Sequence, residues 1–213
     1  MTKTNNGKFI VFEGLDGSGK STQVNLLSNS LLSRGYEPYK TFEPTESPIG
    51  KLIRQILYGE IAAQQKTIAC LFAADRTDHL VNKENGIKLK LDQGKIVLCD
   101  RYYFSSYAYD GQHLNMDSVI QLNELNAKLL RPDLTIFIDV NPKRCLKRII
   151  KRGYTLGSYE KIDSMKKARK NYFKAFKKLK KLEKIKIING EQEQDNVADD
   201  IWLAVQECIR EQS

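Results

Sequence analysis

The stretch FEGLDGSGKST, Phe12–Thr22, packs three glycines, a lysine and several hydroxyls behind a short apolar run. Gly14, Gly19, Lys20 and Ser21 fit the spacing G-x-x-x-x-G-K-[ST]. The run before it, KFIVFEG (Lys8–Gly14), is β-branched and aromatic and stops at glycine, which reads as a buried strand. From Gly19 to Arg34 the apolar residues Val24, Leu26, Leu27, Leu31 and Leu32 recur at helical spacing, and Gly35 ends the helix. A glycine-rich turn between a strand and a helix is a phosphate cradle: bare backbone N–H groups point inward, and the helix N-terminus adds its positive end. Gly14, Gly17, Ser18, Gly19, Lys20, Ser21 and Thr22 are therefore the expected binding residues for ATP. Lys20 reaches its β- and γ-phosphates, and the Ser21 hydroxyl goes to Mg²⁺. Asp16 does not fit an anion site. A carboxylate there faces away from the triphosphate or meets a donor group on a second ligand.

Outward from this loop, strand-like and helix-like segments alternate. EPYKTF, KIVLCD (Lys95–Asp100), DLTIFID (Asp133–Asp139) and KIKIING (Lys184–Gly190) read as strands. PIGKLIRQILYG reads as a helix ending at Gly59, a long helix is expected from near Ala62 to Gln93, and a last one runs to near Glu211. This predicts an α/β fold with a parallel five-stranded sheet and helices on both faces. The chain has 213 residues, with 41% hydrophobic and 29% charged, and is expected to form one domain over 1–213. No apolar run approaches a membrane span, and MTKTNNGKF lacks the apolar stretch of a signal peptide, so the expected location is cytoplasmic.

Cys70, Cys99, Cys145 and Cys208 are far apart, without C-x-x-C spacing, and are expected to be buried or partly buried thiols. The net charge is +9, and ten lysines and one arginine lie between Lys161 and Lys184. Ile162, Met165, Tyr172, Phe176 and Leu179 recur among them, so the stretch is read as an amphipathic helix with a solvated basic face rather than a nucleic-acid patch.

Two further strings point to a phosphoryl acceptor. In LFAADR (Leu71–Arg76), Phe72 and Arg76 are four apart on one helix face, an aromatic and a cation able to grip a flat base and its phosphate. The blander reading pairs Arg76 with Asp75 or Asp78. In CDRYYFSSYAY (Cys99–Tyr109), Asp100 and Arg101 stand at the carboxyl end of a strand, where ligands bind in parallel sheets. Asp100 suits Mg²⁺, and Arg101 suits a phosphate. A GTP-binding switch is excluded, because NKEN (Asn82–Asn85) lacks the aspartate of a guanine-reading motif.

Together with FEPTESPIGKLIR and RPDLTIFIDV, these strings resemble the thymidylate kinases, phosphate-loop nucleoside monophosphate kinases that convert dTMP to dTDP. The resemblance runs in order from residue 8 to about 140, and LKRIIKRG looks like the start of a lid over about 148–161. It implies the three-layer P-loop kinase fold with a short lid, and Mg-ATP as phosphoryl donor. It also implies a homodimer that packs the helix bearing Arg76, with no nucleic-acid or membrane partner. By the same resemblance Asp16 accepts from the sugar 3′-hydroxyl of dTMP, and Phe72 stacks on thymine. Arg76 meets the base or phosphate, Ser106 occupies a base-contact position, Tyr109 packs under deoxyribose, and Arg101 holds the acceptor phosphate. Pro44 follows a peptide bond that is cis in some members. Position 17 is glycine where other members carry an arginine, which implies a catalytic charge from the lid. Arg152 is the candidate, with Lys151 beside it, and Arg148 is expected to pack on adenine. A kinase for another deoxynucleotide, a deoxynucleoside kinase using Glu43 or Glu46 as base, and an ATP-binding scaffold with weak turnover are the rival readings.

Overall fold

The computed structural model describes residues 7–151, 153 and 158–210. Strand β1 (Lys8–Glu13) is the centre of a five-stranded sheet, and all of its residues are buried. It pairs in parallel with β3 (Ile96–Asp100) on one side and β4 (Leu134–Asp139) on the other. β2 (Pro38–Phe42) extends the sheet from β3, and β5 (Ile185–Asn189) extends it from β4, both in parallel. The order is β2-β3-β1-β4-β5 with every pairing parallel, the five-stranded parallel sheet that the sequence predicts. A strand covered on both faces has no polar side to show, which is why β1 reads as the unbroken run FIVF.

Helix α1 (Lys20–Leu32) lies on one face and buries Val24, Leu27 and Leu31. Its end is closed by Gly35 in the left-handed conformation (φ 81°), whose N–H reaches Leu32 O at 3.0 Å. Helix α10 (Gln194–Arg210) packs beside α1, with the Arg34 guanidinium 4.1 Å from the Trp202 ring centre. The opposite face carries α5 (Tyr103–Tyr109) and α9 (Ser158–Leu179), the lysine-rich helix. Phe137 of β4 meets Tyr172 and Phe176 of α9 at 4.8 and 5.0 Å, and Phe104 of α5 meets Phe176 at 5.0 Å. Ile162, Met165, Tyr172, Phe176 and Leu179 are buried as their spacing predicts, and the lysines of α9 face outward.

Helices α2 (Pro48–Leu57) and α3 (Gln65–Val81) follow β2, and α8 (Pro142–Lys151) follows β4. The long helix expected from Ala62 to Gln93 is instead two, α3 and α4 (Ile87–Asp92). The Asn82 side chain causes the break: its Oδ1 accepts from Glu84 N at 3.0 Å and Asn85 N at 3.4 Å, offering the chain a local turn in place of another helical one. NKEN is thus a turn between helices. Cys99, Cys145 and Cys208 are buried as expected, but Cys70 is exposed on α3. Among the described residues no helix is long and apolar enough to cross a membrane.

Candidate active site

The carboxyl ends of the strands form one edge, and the phosphate loop leaves β1 in the middle of it. Gly14, Gly17 and Gly19 all have positive φ (148°, 77° and 103°), the backbone that turns successive N–H groups inward. Lys20 is buried and lies across the loop, donating through Nζ to Gly14 O and Leu15 O at 3.1 Å each. Burial holds its amine below the ordinary lysine value, and the Arg101 charge adds to the effect. The neighbouring Ser21 hydroxyl donates to Asp100 Oδ2 at 2.7 Å. Asp100 Oδ1 is buried without a hydrogen-bond partner, 4.0 Å from Lys20 Nζ. An unsatisfied carboxylate oxygen beside a serine hydroxyl is an oxygen donor set suited to a hard divalent cation, so the residues present fit Mg²⁺. The glycine backbone and Lys20 fit a triphosphate on the same grounds.

Arg101 follows β3 with φ 76°, the single non-glycine residue with positive φ among those described. Its N–H donates to Phe12 O at 2.9 Å, which fixes the turn. The side chain then points across the loop: Nη2 donates to Asp16 Oδ1 at 2.6 Å and Nη1 to Ser105 Oγ at 2.9 Å, with the guanidinium 5.2 Å from the Tyr109 ring centre. The Arg101 charge holds the Asp16 carboxyl below its ordinary value. A left-handed arginine at this point is costly backbone, of the kind that persists where a side chain must be aimed.

Beneath Arg101 lies Glu13, fully buried at the end of β1. It accepts from Tyr102 N, Ser105 N, Ser105 Oγ and Tyr172 Oη at 2.7–3.1 Å. Burial raises its pKa while these bonds oppose the rise. Glu13 thus ties the start of α5 to β1 and α9.

A second cleft of about 400 Å³ opens beyond Arg101. Phe72 and Arg76 of α3 line it together with Ser106, Tyr109 and Asp110. Arg76 is buried and does not pair with Asp75 or Asp78. Its Nε and Nη2 donate to Glu43 Oε2 at 2.8 Å each, and Nη1 reaches Asn123 Oδ1 and, at 3.4 Å, Ser106 Oγ. Asp75 turns the other way and accepts from Thr45 N, Thr45 Oγ1 and Ser47 Oγ at 2.6–2.9 Å. Adjacent residues of α3 thus clasp the loop after β2, which carries a cis Glu43–Pro44 peptide. The phosphate-loop cleft, about 560 Å³, shares Asp16, Glu43 and Arg101 with the second cleft. Two pockets meet at one arginine.

The family model for thymidylate kinase matches residues 12–201. The chain belongs to the thymidylate kinase family. It is 40% identical over 202 residues to a probable thymidylate kinase of Pyrococcus horikoshii, covering 92% of this chain and 94% of that protein. Against a thymidylate kinase of Desulfotalea psychrophila it is 38% identical over 207 residues, covering 97% and 98%. A thymidylate kinase of Clostridium novyi is 35% identical over 204 residues, with 92% and 97% covered.

Within this thymidylate kinase fold, residues predicted from sequence gather in two groups. Gly14, Gly17, Ser18, Gly19, Lys20, Ser21, Thr22 and Asp100 surround the phosphate loop. Phe72, Arg76, Ser106 and Tyr109 line the second cleft, and Asp16 and Arg101 stand between the groups. Arg148 of α8 donates to Gly17 O and Ser18 O at 3.3 Å each and lines a third cleft of about 240 Å³ on the far side of the loop. Arg152 lies outside the described residues. Glu13, Asn123 and Asp110 were not singled out from sequence. For Glu13 a signal existed: β1, β3 and β4 each end in an acid, and Glu43 directly follows β2.

Proposed function

We propose that this thymidylate kinase family member transfers the γ-phosphoryl group of Mg-ATP to dTMP, giving ADP and dTDP. The observation that carries the reading is the junction of the two clefts at Asp16, Glu43 and Arg101. A donor phosphate held on the loop and an acceptor phosphate held from the other side would meet beside the Arg101 guanidinium.

In this reading Gly14–Thr22 bind the triphosphate. Ser21 and Asp100 hold Mg²⁺, which supplies positive charge to the phosphates when bound. Lys20 leaves the Gly14 and Leu15 carbonyls for phosphate oxygens. Arg101 binds the acceptor phosphate, Tyr109 packs under the deoxyribose, and Asp16, with Oδ1 on Arg101, offers Oδ2 to the 3′-hydroxyl. Phe72 stacks on thymine, and Arg76 and Ser106 face its edge. Arg148 flanks the adenine, and Arg152 supplies the lid charge that Gly17 cannot. The acceptor is a phosphate monoester that is anionic near neutral pH, so the site needs no general base. It has to bring two anions together and offset their repulsion, which is positioning and electrostatics. A single domain over 1–213 with its lid at about 148–161, a homodimer and a cytoplasmic location belong to the same reading.

A deoxynucleoside kinase would need a base for a neutral hydroxyl. Glu43 is engaged by Arg76 and His79, and the Glu46 carboxylate is exposed and paired with Arg54, so neither is free for that work. The deciding experiment is an acceptor screen with Mg-ATP across the nucleoside monophosphates and thymidine, following ADP release. Turnover with dTMP, none with thymidine and little without acceptor are expected. ADP release indifferent to dTMP would leave only a weak ATP-binding scaffold.

A further inference from the structure

Asp110 begins a short 3-10 turn, Asp110–Gln112, directly after α5. Its carbonyl accepts from His113 N at 3.0 Å and Leu114 N at 2.9 Å, so its backbone is fixed. The side chain is only 7% exposed, and its Oδ2 is buried without a hydrogen-bond partner. It lines the second cleft, where its polar neighbours are Ser106 and Arg76. A buried carboxylate oxygen with nothing to accept from is rare in a folded protein and marks a place where a partner is missing. Tyr109 Oη, next in the chain, is unpartnered in the same cleft.

We propose that Asp110 reads the acceptor base by accepting a hydrogen bond from its ring N–H, selecting a pyrimidine-2,4-dione edge over an aminopyrimidine edge. This rests on the dTMP reading above. Thymine presents a carbonyl at C4 beside an N3–H, an acceptor next to a donor. Cytosine presents the reverse, an amine at C4 beside a bare N3 lone pair. The cleft offers the complement of thymine: the Arg76 guanidinium is a donor with Nη1 3.4 Å from Ser106 Oγ, and Asp110 is an acceptor beside that serine. Seating cytosine would set a ring lone pair against a carboxylate and leave both without a proton between them. A site built around a hydrogen bond rejects the analogue that lacks it far better than an apolar pocket rejects a size change.

The charge state of Asp110 gives a second handle. Burial raises its carboxyl to about 6, with Ser106 and the Arg76 charge opposing the rise. As pH falls through that value the carboxylate is lost, the protonated acid can donate as well as accept, and discrimination against cytosine weakens. Asp16, Glu43, Arg76, Arg101, Tyr109 and His113 also line the cleft. The Asp110→Asn variant separates Asp110 from these groups.

The test measures kcat/KM for dTMP and dCMP from pH 5 to 8, in the wild-type enzyme and in Asp110→Asn. The second ionisation of the acceptor phosphate is shared by both substrates and cancels in their ratio. The wild-type ratio of dTMP to dCMP is expected to be high at pH 8 and to fall severalfold toward pH 5. In Asp110→Asn, whose amide offers a donor as well as an acceptor, the ratio falls at least tenfold at pH 8 and loses its pH dependence. An unchanged ratio in the variant, or a pH effect that persists in it, overturns the assignment. A wild-type ratio flat from pH 5 to 8 overturns it without any variant. Absence of wild-type turnover with dTMP would instead overturn the dTMP reading itself.

Discussion

Asp16 and Arg101 hold each other at 2.6 Å where the two clefts meet, and each changes what the other costs. A carboxylate beside a triphosphate is repulsive, and the guanidinium cancels that repulsion while remaining a donor to the acceptor phosphate. Arg101→Ala therefore does two kinds of damage: it removes the acceptor-phosphate contact and leaves Asp16 as an uncompensated negative charge. The single variant is expected to lose turnover by about a hundredfold or more, the size typical of one charge-stabilising donor, and to bind ATP more weakly as well. In Asp16→Ala/Arg101→Ala the repulsion is gone, so ATP affinity recovers while turnover does not. Titration of ATP into both variants alongside kcat gives the coupling. Equal ATP affinity in the single and double variants would mean that the Asp16 charge, once released from Arg101, does not reach the triphosphate. Much of this was legible from sequence, because Asp16 is out of place in an anion cradle and Arg101 follows a strand-terminal acid. The pairing itself was not. It depends on the left-handed backbone at Arg101, which no spacing rule announces.

The elements whose local signals agree with their burial were the readable ones. β1, β3 and β4 are apolar runs because both faces are covered, and α1 carries its own start and stop at Gly19 and Gly35. The α3–α4 break was misread because helical periodicity continues on both sides of it, while one asparagine side chain decides the turn. Arg76 was placed on the correct face of α3, but its partner Glu43 is 33 residues away on the loop after β2, beyond any helical spacing. The contact of α8 with the phosphate loop is also long-range. At Gly17 (φ 77°) an added Cβ would stand 2.6 Å from Cys145 O and 3.0 Å from Ile149 Cγ1, both on α8. Gly17→Ala must therefore move either the loop or the helix, and it also strains the backbone by roughly 1 kcal/mol. The expected result is a folded enzyme with a lower Tm and a KM for ATP raised about tenfold, measured by melting and steady-state kinetics. Arg148→Ala removes only the side-chain bonds to Gly17 O and Ser18 O, so it should raise that KM with a smaller loss of Tm. A Gly17→Ala enzyme with wild-type KM and Tm would show that α8 is not seated on the loop.

At the scale of the whole molecule the four thiols report on both opening and assembly. Cys99 lies on β3 beside the central strand, Cys145 on α8 behind the phosphate loop, and Cys208 on α10, all buried, whereas Cys70 is exposed on α3. Burial drives the Cys99 thiol well above its ordinary value and raises Cys145 to about 11, so neither forms a thiolate readily in the folded chain. An aromatic disulfide reagent added to dilute native protein should therefore label one thiol rapidly and the other three only through opening. Saturating Mg-ATP binds the folded state and should slow those three; at 100 times its dissociation constant the linkage is about 2.7 kcal/mol, or roughly a hundredfold in rate if opening is global. A common rate for all three identifies global unfolding, and a faster Cys208 identifies separate detachment of α10. Cys70 answers a different question. If two copies associate across α3, its labelling rate falls as protein concentration rises through the dimer range, and Mg-ATP leaves that dependence in place. A Cys70 rate constant independent of concentration, in a protein that sedimentation shows to be dimeric, would put the subunit contact on another face. More than one rapid thiol in the dilute native protein would contradict the burial from which the argument starts.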